Sequence, residues 1–390
     1  MKKGRTRPGE KSPVLIDNSE ARKKVRAAKR RRRIAFLLLA LVALLLGIFR
    51  NDIDLYRIRQ WLSGEKPEKA TRFAVDLDTG GSLAFGASRD CLALCNGSSL
   101  GVYRQDGSRK LNVSVSLGTP AMETAGGYVL AYDRGGVNAY LTGGVALSCS
   151  VRAQGAMLCA DVGEDGTFAL VSSSEQSLSV LEVFNHYGKK KYGFVSSSSY
   201  ITGVAIGDDG KNLAIAGFSA DRMQLSGLLR FLSVSSEQPV AEVSLPDELI
   251  LKIHSEGDTL LVLTDRALHS YSLSSGALLG ETSFGGQKLL YCSLNPPALV
   301  LGRYAASHEN AMLCCDSKAA QVSSVTLTED IRAIYGGYDR LLLLGETALL
   351  YDKAGNLLAE QPQSAGVRGG VILKGGTAAL IDSSGVTLLS

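Results

Sequence analysis

The chain has 390 residues, 45% of them hydrophobic and 21% charged. That is enough apolar material for a sizeable folded core and excludes a disordered polyelectrolyte. The net charge of +4 is unevenly placed: residues 1–33 hold 14 Lys/Arg against 3 Asp/Glu, so the rest of the chain carries −7.

The basic tail ends in Lys29, Arg30, Arg31, Arg32 and Arg33, and an uncharged run from Ile34 to Phe49 follows at once. As a helix this run spans roughly 24 Å, and Arg33 and Arg50 can snorkel outward to match a hydrocarbon core of about 30 Å. Cations beside a span stay on the cytoplasmic side, so these five residues are read as setting an N-in topology. The tail could instead serve nucleic acid, but the adjacent span gives it a simpler use, and no nucleic-acid partner is expected. Each cation near an anionic bilayer contributes about 1 kcal/mol of attraction. A cleaved signal peptide would need two small residues just beyond the run. Ending a cut at Gly47 puts Leu45 three residues from the scissile bond, and FRNDIDLYRIRQW supplies no small pair. The reading is therefore an uncleaved signal anchor over 34–50, following a cytoplasmic tail over 1–33.

Residues 51–71 form the junction. Leu55, Ile58, Trp61 and Leu62 fall at helical spacing, and Trp61 is the chain's one tryptophan. Arg50 and Trp61 suit the membrane interface, although Trp61 could equally cap the folded body. GEKPEKATR then reads as a short polar linker.

The body, residues 72–390, is a degenerate repeat. Short apolar runs follow Gly, Asp or Asn turns at LALC (92–95), VLAY (129–132), FALV (168–171), LAIA (213–216), LLVL (260–263), ALVL (298–301), LLLL (341–344) and AALI (378–381). Each is preceded by another strand-like run, such as AMETA, GVAIG or LKIHS, and followed by one or two more. Four short strands every 37–47 residues, with no amphipathic helix between them, predict an all-β propeller of eight blades, or seven if one repeat is misread. The last repeat lacks its outer strand, and RFAVDLD (72–78) is unclaimed. We expect 72–78 to complete the last blade and tie the ends of the ring together.

The strand rhythm, with phrases such as AIGDDGKNLAIAG (205–217) and LLYDKAGNLLAE (349–360), resembles the quinoprotein-like and WD40-like propellers. With its basic tail and single anchor, the chain resembles a family of membrane-anchored propellers of Gram-positive bacteria carried as a domain of unknown function. No functional residue comes with that resemblance. Trp-Asp blade ends are absent, and no Trp lies beyond residue 61, which argues against a pyrroloquinoline quinone cofactor.

Local motifs offer little chemistry. His186, His254, His269 and His308 are isolated, without HxxxH or HExxH spacing. His254 lies in the expected innermost strand LKIHS, which makes it a channel candidate, although a satisfied structural histidine is the ordinary account. DLDTGG (76–81) lacks the downstream Glu of a calcium loop, and EDG (164–166) and DDG (208–210) read as hairpin turns. GxSxG and GxxxxGK[ST] are absent. KKKYGF (189–194) reads as a solvated hairpin tip. The seven cysteines, all in the body and none in CxxC spacing, read as small core residues, with a Cys314–Cys315 bridge the less favoured alternative. No catalytic, cofactor or metal residue is assigned. The expected role is a non-enzymatic binding or scaffold module of the cell envelope, displayed outside the cell, with an envelope protein, peptide or wall polymer as partner. A ligand sensor or enzyme with its site at the channel mouth is the alternative. Several acidic or His side chains at one mouth would favour that alternative, and a channel plugged by apolar residues would sink it.

Overall fold

A computed structural model describes residues 71–76, 81–221, 224–302, 310–363 and 366–390, together with Phe36. The tail cations 29–33, the anchor at 34–50 and the interface residues Arg50 and Trp61 lie outside these residues. Among the described residues no helix is long and apolar enough to cross a membrane.

The body is eight four-stranded antiparallel sheets, so the count of eight blades holds. The innermost strands are Ala84–Ser88, Pro120–Ala125, Met157–Val162, Tyr200–Ile206, Ile250–Glu256, Lys288–Leu294, Ala333–Gly337 and Gly369–Ile372, of blades 1 to 8 in order. Each was legible as the run preceding an apolar repeat.

Burial explains why the sequence pattern changes from strand to strand. The second strands are buried along their length, Cys91–Cys95 and Phe168–Ser172 at every position and others, such as Tyr128–Asp133, at all but the ends. Neighbouring blades cover both of their faces, so they read as continuous apolar runs. Outer strands such as Leu278–Ser283 and Leu357–Pro362 alternate between exposed and half-buried positions, because one face meets solvent. Eight apolar clusters fill the eight junctions between blades. Blades 8 and 1, for example, share Leu92, Leu94, Val371, Ile381 and Val386. Each fully buried Leu, Ile or Val contributes about 1.5–3 kcal/mol.

The ring closes as expected, but with a shorter strand. Arg72 and Phe73 pair with Thr387 and Val386 of the last strand, Gly385–Leu389. The Arg72 guanidinium bonds the Asp382 carboxylate at 3.0 Å, and Phe73 packs into the core between blades 8 and 1. Of the strand expected over 72–78, residues 72–73 are strand, 74–76 are not, and 77–78 lie outside the described residues. The reason is a competing anchor: the Asp76 carboxylate accepts the Tyr103 hydroxyl at 2.6 Å and pairs with Arg109, both of blade 1, so the chain leaves the outer edge.

KKKYGF is also corrected. Lys190–Ser196 is the outer strand of blade 3, and Lys190 reaches back to Glu182 at 2.8 Å. EDG and DDG are turns, as expected. Gly166 and Gly210 sit at φ +79° and +63°, a region that side-chain-bearing residues avoid.

Candidate functional site

The innermost strands of all eight blades line one axial cavity of about 970 Å³. Its walls are mostly short or apolar residues, including Gly86, Ala160, Gly203 and Val371. Polar groups break this lining at specific places. The hairpins joining first to second strands form one mouth and carry Glu164, Asp208, Glu256 and Asp339. Arg134 belongs to the other end, where its N–H donates to the Thr119 carbonyl beside the start of the inner strand of blade 2. Lys252 lies near the start of its own strand. Glu123, Asp161 and His254 occupy the span between.

Hydrogen bonds between blades hold the acidic mouth in shape. The Arg89 carbonyl accepts the N–H of Lys374, and its guanidinium donates to the Gly126 carbonyl. Asp208 accepts the Gly257 N–H on its carboxylate at 2.9 Å and the Asp165 N–H on its carbonyl. Deeper in, the Asp161 carboxylate accepts the Ile206 N–H at 2.8 Å, and the Ser255 hydroxyl donates to the Ile206 carbonyl at 2.8 Å. Blades 3, 4 and 5 are thus pinned together around one residue.

Asp161 therefore has a structural role. Glu123 does not: it is half-buried and faces the cavity, and among the described residues its carboxyl takes no hydrogen bond. Burial pushes the Glu123 carboxyl up to about 8; the Asp161 charge adds to this, and Lys252 and Arg134 oppose it. Burial likewise lifts Asp161 to about 7, against the N–H groups of Ile206 and Val162. At the mouth, burial and the like charges of Asp208, Asp339 and Glu164 raise Glu256. Cations in the cavity wall number two, Arg134 and Lys252, against six carboxyl groups. The field at the mouth favours positive charge.

His254 does line the cavity. Burial, with Lys252 adding to the effect, holds its imidazole down at about 4, so it is neutral at physiological pH. Its Nε2 is buried and has no hydrogen-bond partner among the described residues. His269 is a structural histidine, bonded to Glu248 at 2.9 Å, and His186 makes tilted ring contacts with Tyr128 and Tyr187. His308 lies outside the described residues. All seven cysteines are free, so Cys314 and Cys315 are not bridged. Burial pushes the thiol of Cys159, which lines the cavity, up to about 12. Among the described residues no group of His, Cys, Asp or Glu is arranged to hold a metal ion.

Sequence reasoning found His254 but missed Glu123 and Asp161, and it took Glu164 and Asp208 for turn residues only. The available signal was a charged residue inside an otherwise small or apolar inner strand, as in AMETA and LCADV.

Fold and cavity together define an eight-bladed β-propeller with a polar axial channel and an acidic mouth. The chain belongs to a family of unknown function, DUF5711, whose pattern matches residues 89–382. No curated protein matches it. Many solved structures share the fold, among them the following three. The computationally designed protein Ika8 has 11% identity and a TM-score of 0.58, covering 81% of this chain and 98% of that one. The C-terminal WD40 domain of Sif2 has 12% identity and a TM-score of 0.56, covering 83% and 99%. BamB from Moraxella catarrhalis has 9% identity and a TM-score of 0.53, covering 82% and 98%. At such identities the likeness extends to the fold alone.

Proposed function

We propose that this chain is a single-pass, N-in membrane protein that presents its propeller outside the cell as a non-enzymatic binding module of the envelope. Its ligand is a small molecule, or a protruding part of an envelope protein, peptide or wall polymer, that enters the axial channel. One observation carries the reading: a cavity of about 970 Å³ with convergent polar groups, in the size range of small-ligand sites. Binding is favoured over catalysis by the state of the channel's reactive groups. The Cys159 thiol is held far from its thiolate, and the His254 Nε2 has no hydrogen-bond partner among the described residues through which to pass a proton. The carboxyl groups at the mouth favour a sensor of a small ligand over a bare scaffold. The N-terminal sequence supports the anchor, with five consecutive cations before an uncharged run and no cleavage site after it.

Two measurements test this. Protease treatment of intact cells is expected to remove the propeller and leave the basic tail with the cell. Release of the protein into the medium, or a mature N-terminus near residue 52, overturns the anchor. Native mass spectrometry of the full-length protein from its own cells is expected to show a retained ligand that Thr202→Trp displaces. Thr202 lines the channel and is exposed within it, so the indole narrows the channel without entering the core.

A further inference from the structure

We infer that the channel takes an organic cation, a primary ammonium or guanidinium group, which enters between Glu164, Asp208, Glu256 and Asp339 and is held by the Glu123 carboxylate. This rests on the channel being a binding site and names the class of ligand.

Three independent features point the same way. The first is a pair of groups that face the cavity without a hydrogen-bond partner among the described residues: the half-buried Glu123 carboxyl and the buried Nε2 of the neutral His254. Buried polar atoms in folded proteins are almost always bonded, so the orphaned His254 Nε2, an acceptor on a neutral ring, marks the place of a missing donor. An ammonium or guanidinium brings the donors and the countercharge at once. The second is the sign of the lining. Around Glu123, Asp161 adds negative charge and Arg134 and Lys252 oppose it, with Cys159 and Tyr132 beside them, whereas the charged groups on the path inward from the mouth are carboxylates alone among the described residues. The third is the aromatic wall. Phe85 and Tyr335 line the cavity with ring centroids 5.9 Å apart, and Tyr338 lies beside Asp339 at the mouth. Such rings attract cations over their faces. The shape of the acid set favours an organic cation over a metal ion, since no cluster is arranged for metal ligation among the described residues.

Binding is proton-linked. Free Glu123 keeps its proton up to about pH 8, and a bound cation favours the carboxylate, so one proton leaves for each ligand taken up. Affinity should therefore rise with pH between 6 and 8, by up to about tenfold per unit.

The test is calorimetric titration of the full-length protein in detergent micelles with three probes of similar length: agmatine (dicationic across this pH range), succinate and 1,6-hexanediol. Agmatine is expected to bind in preference to the other two, at least tenfold more tightly at pH 8 than at pH 6. Glu123→Gln should weaken it tenfold or more and flatten the pH dependence. Asp208→Asn, which keeps an acceptor for the Gly257 N–H, should weaken it severalfold and reduce its salt dependence. A second arm uses Thr202→Trp. If succinate or hexanediol binds more tightly than agmatine and Thr202→Trp abolishes that binding, the cation is refuted while the channel stands. If no probe binds, and the ligand retained from cells is unaffected by Thr202→Trp, both readings fall. Agmatine binding that Glu123→Gln leaves unchanged in strength and pH dependence also overturns the inference.

Discussion

Replacing Glu123 with Gln tests whether the channel wall raises the Glu123 carboxyl. The side chains are nearly isosteric, so packing is kept and only the ionisation is removed. An acid whose pKa rises from 4.5 to about 8 on folding stays protonated in the native state while the unfolded chain ionises. The native state then binds more protons than the unfolded state between those values, so stability falls as pH rises from about 4.5 to 8. Full ionisation of such a group costs on the order of 5 kcal/mol. Solvent reaching the cavity screens part of this and leaves roughly 2–3 kcal/mol. At about 2 cal/mol/K per residue of unfolding entropy, that corresponds to about 3–5 °C in Tm for a propeller of this length. Scanning calorimetry of the full-length protein and of Glu123→Gln at pH 5 and pH 9 should show similar Tm values at pH 5. At pH 9 the variant should be the more stable by that amount. An equal difference at both pH values, or a variant less stable at pH 9, refutes a Glu123 carboxyl raised by its place in the channel wall.

Three further outcomes follow from the packing and the ring closure. Removing residues 1–75 takes away the closing strand and Phe73 and should cost roughly 3 kcal/mol, whereas Arg72→Ala, which breaks a half-exposed ion pair, should cost within about 1 kcal/mol; chemical denaturation distinguishes them. Leu94→Ala opens a cavity in the fully buried core between blades 8 and 1 and should destabilise by about 2–5 kcal/mol in the same assay. Maleimide should label at most about two of the seven thiols in the native protein at pH 7.5, because burial raises Cys95, Cys159 and Cys315 to about 12. All seven should react after denaturation without reductant, and a shortfall would reveal a disulfide.

The fold was largely legible because propeller blades leave a strong trace. Strands covered on both faces produce runs such as LLVL and LLLL at a fixed period, and outer strands alternate. The closing strand was legible in place but not in length, since its end is decided by Tyr103 and Arg109 capturing Asp76, a contact with no local signature. The site was mostly hidden for the same reason. Glu123, Asp161, Lys252 and His254 come from three different blades, and only closure of the ring brings them onto one axis. His254 showed itself because a histidine in an inner strand is conspicuous. Glu164 and Asp208 did not, because EDG and DDG also make good turns, and at this mouth the same residues serve both purposes.

The most direct test of the central claim, that the channel is where this protein binds, is site-specific photocrosslinking in intact cells. A photoreactive amino acid at Asp208, in the mouth, is compared with one at Val322, an exposed position on the outer strand of blade 6. The account predicts a discrete adduct from Asp208 that Thr202→Trp suppresses, and none from Val322. Adducts from Val322 alone, or from Asp208 with no effect of Thr202→Trp, would contradict it and place binding on the outside of the ring.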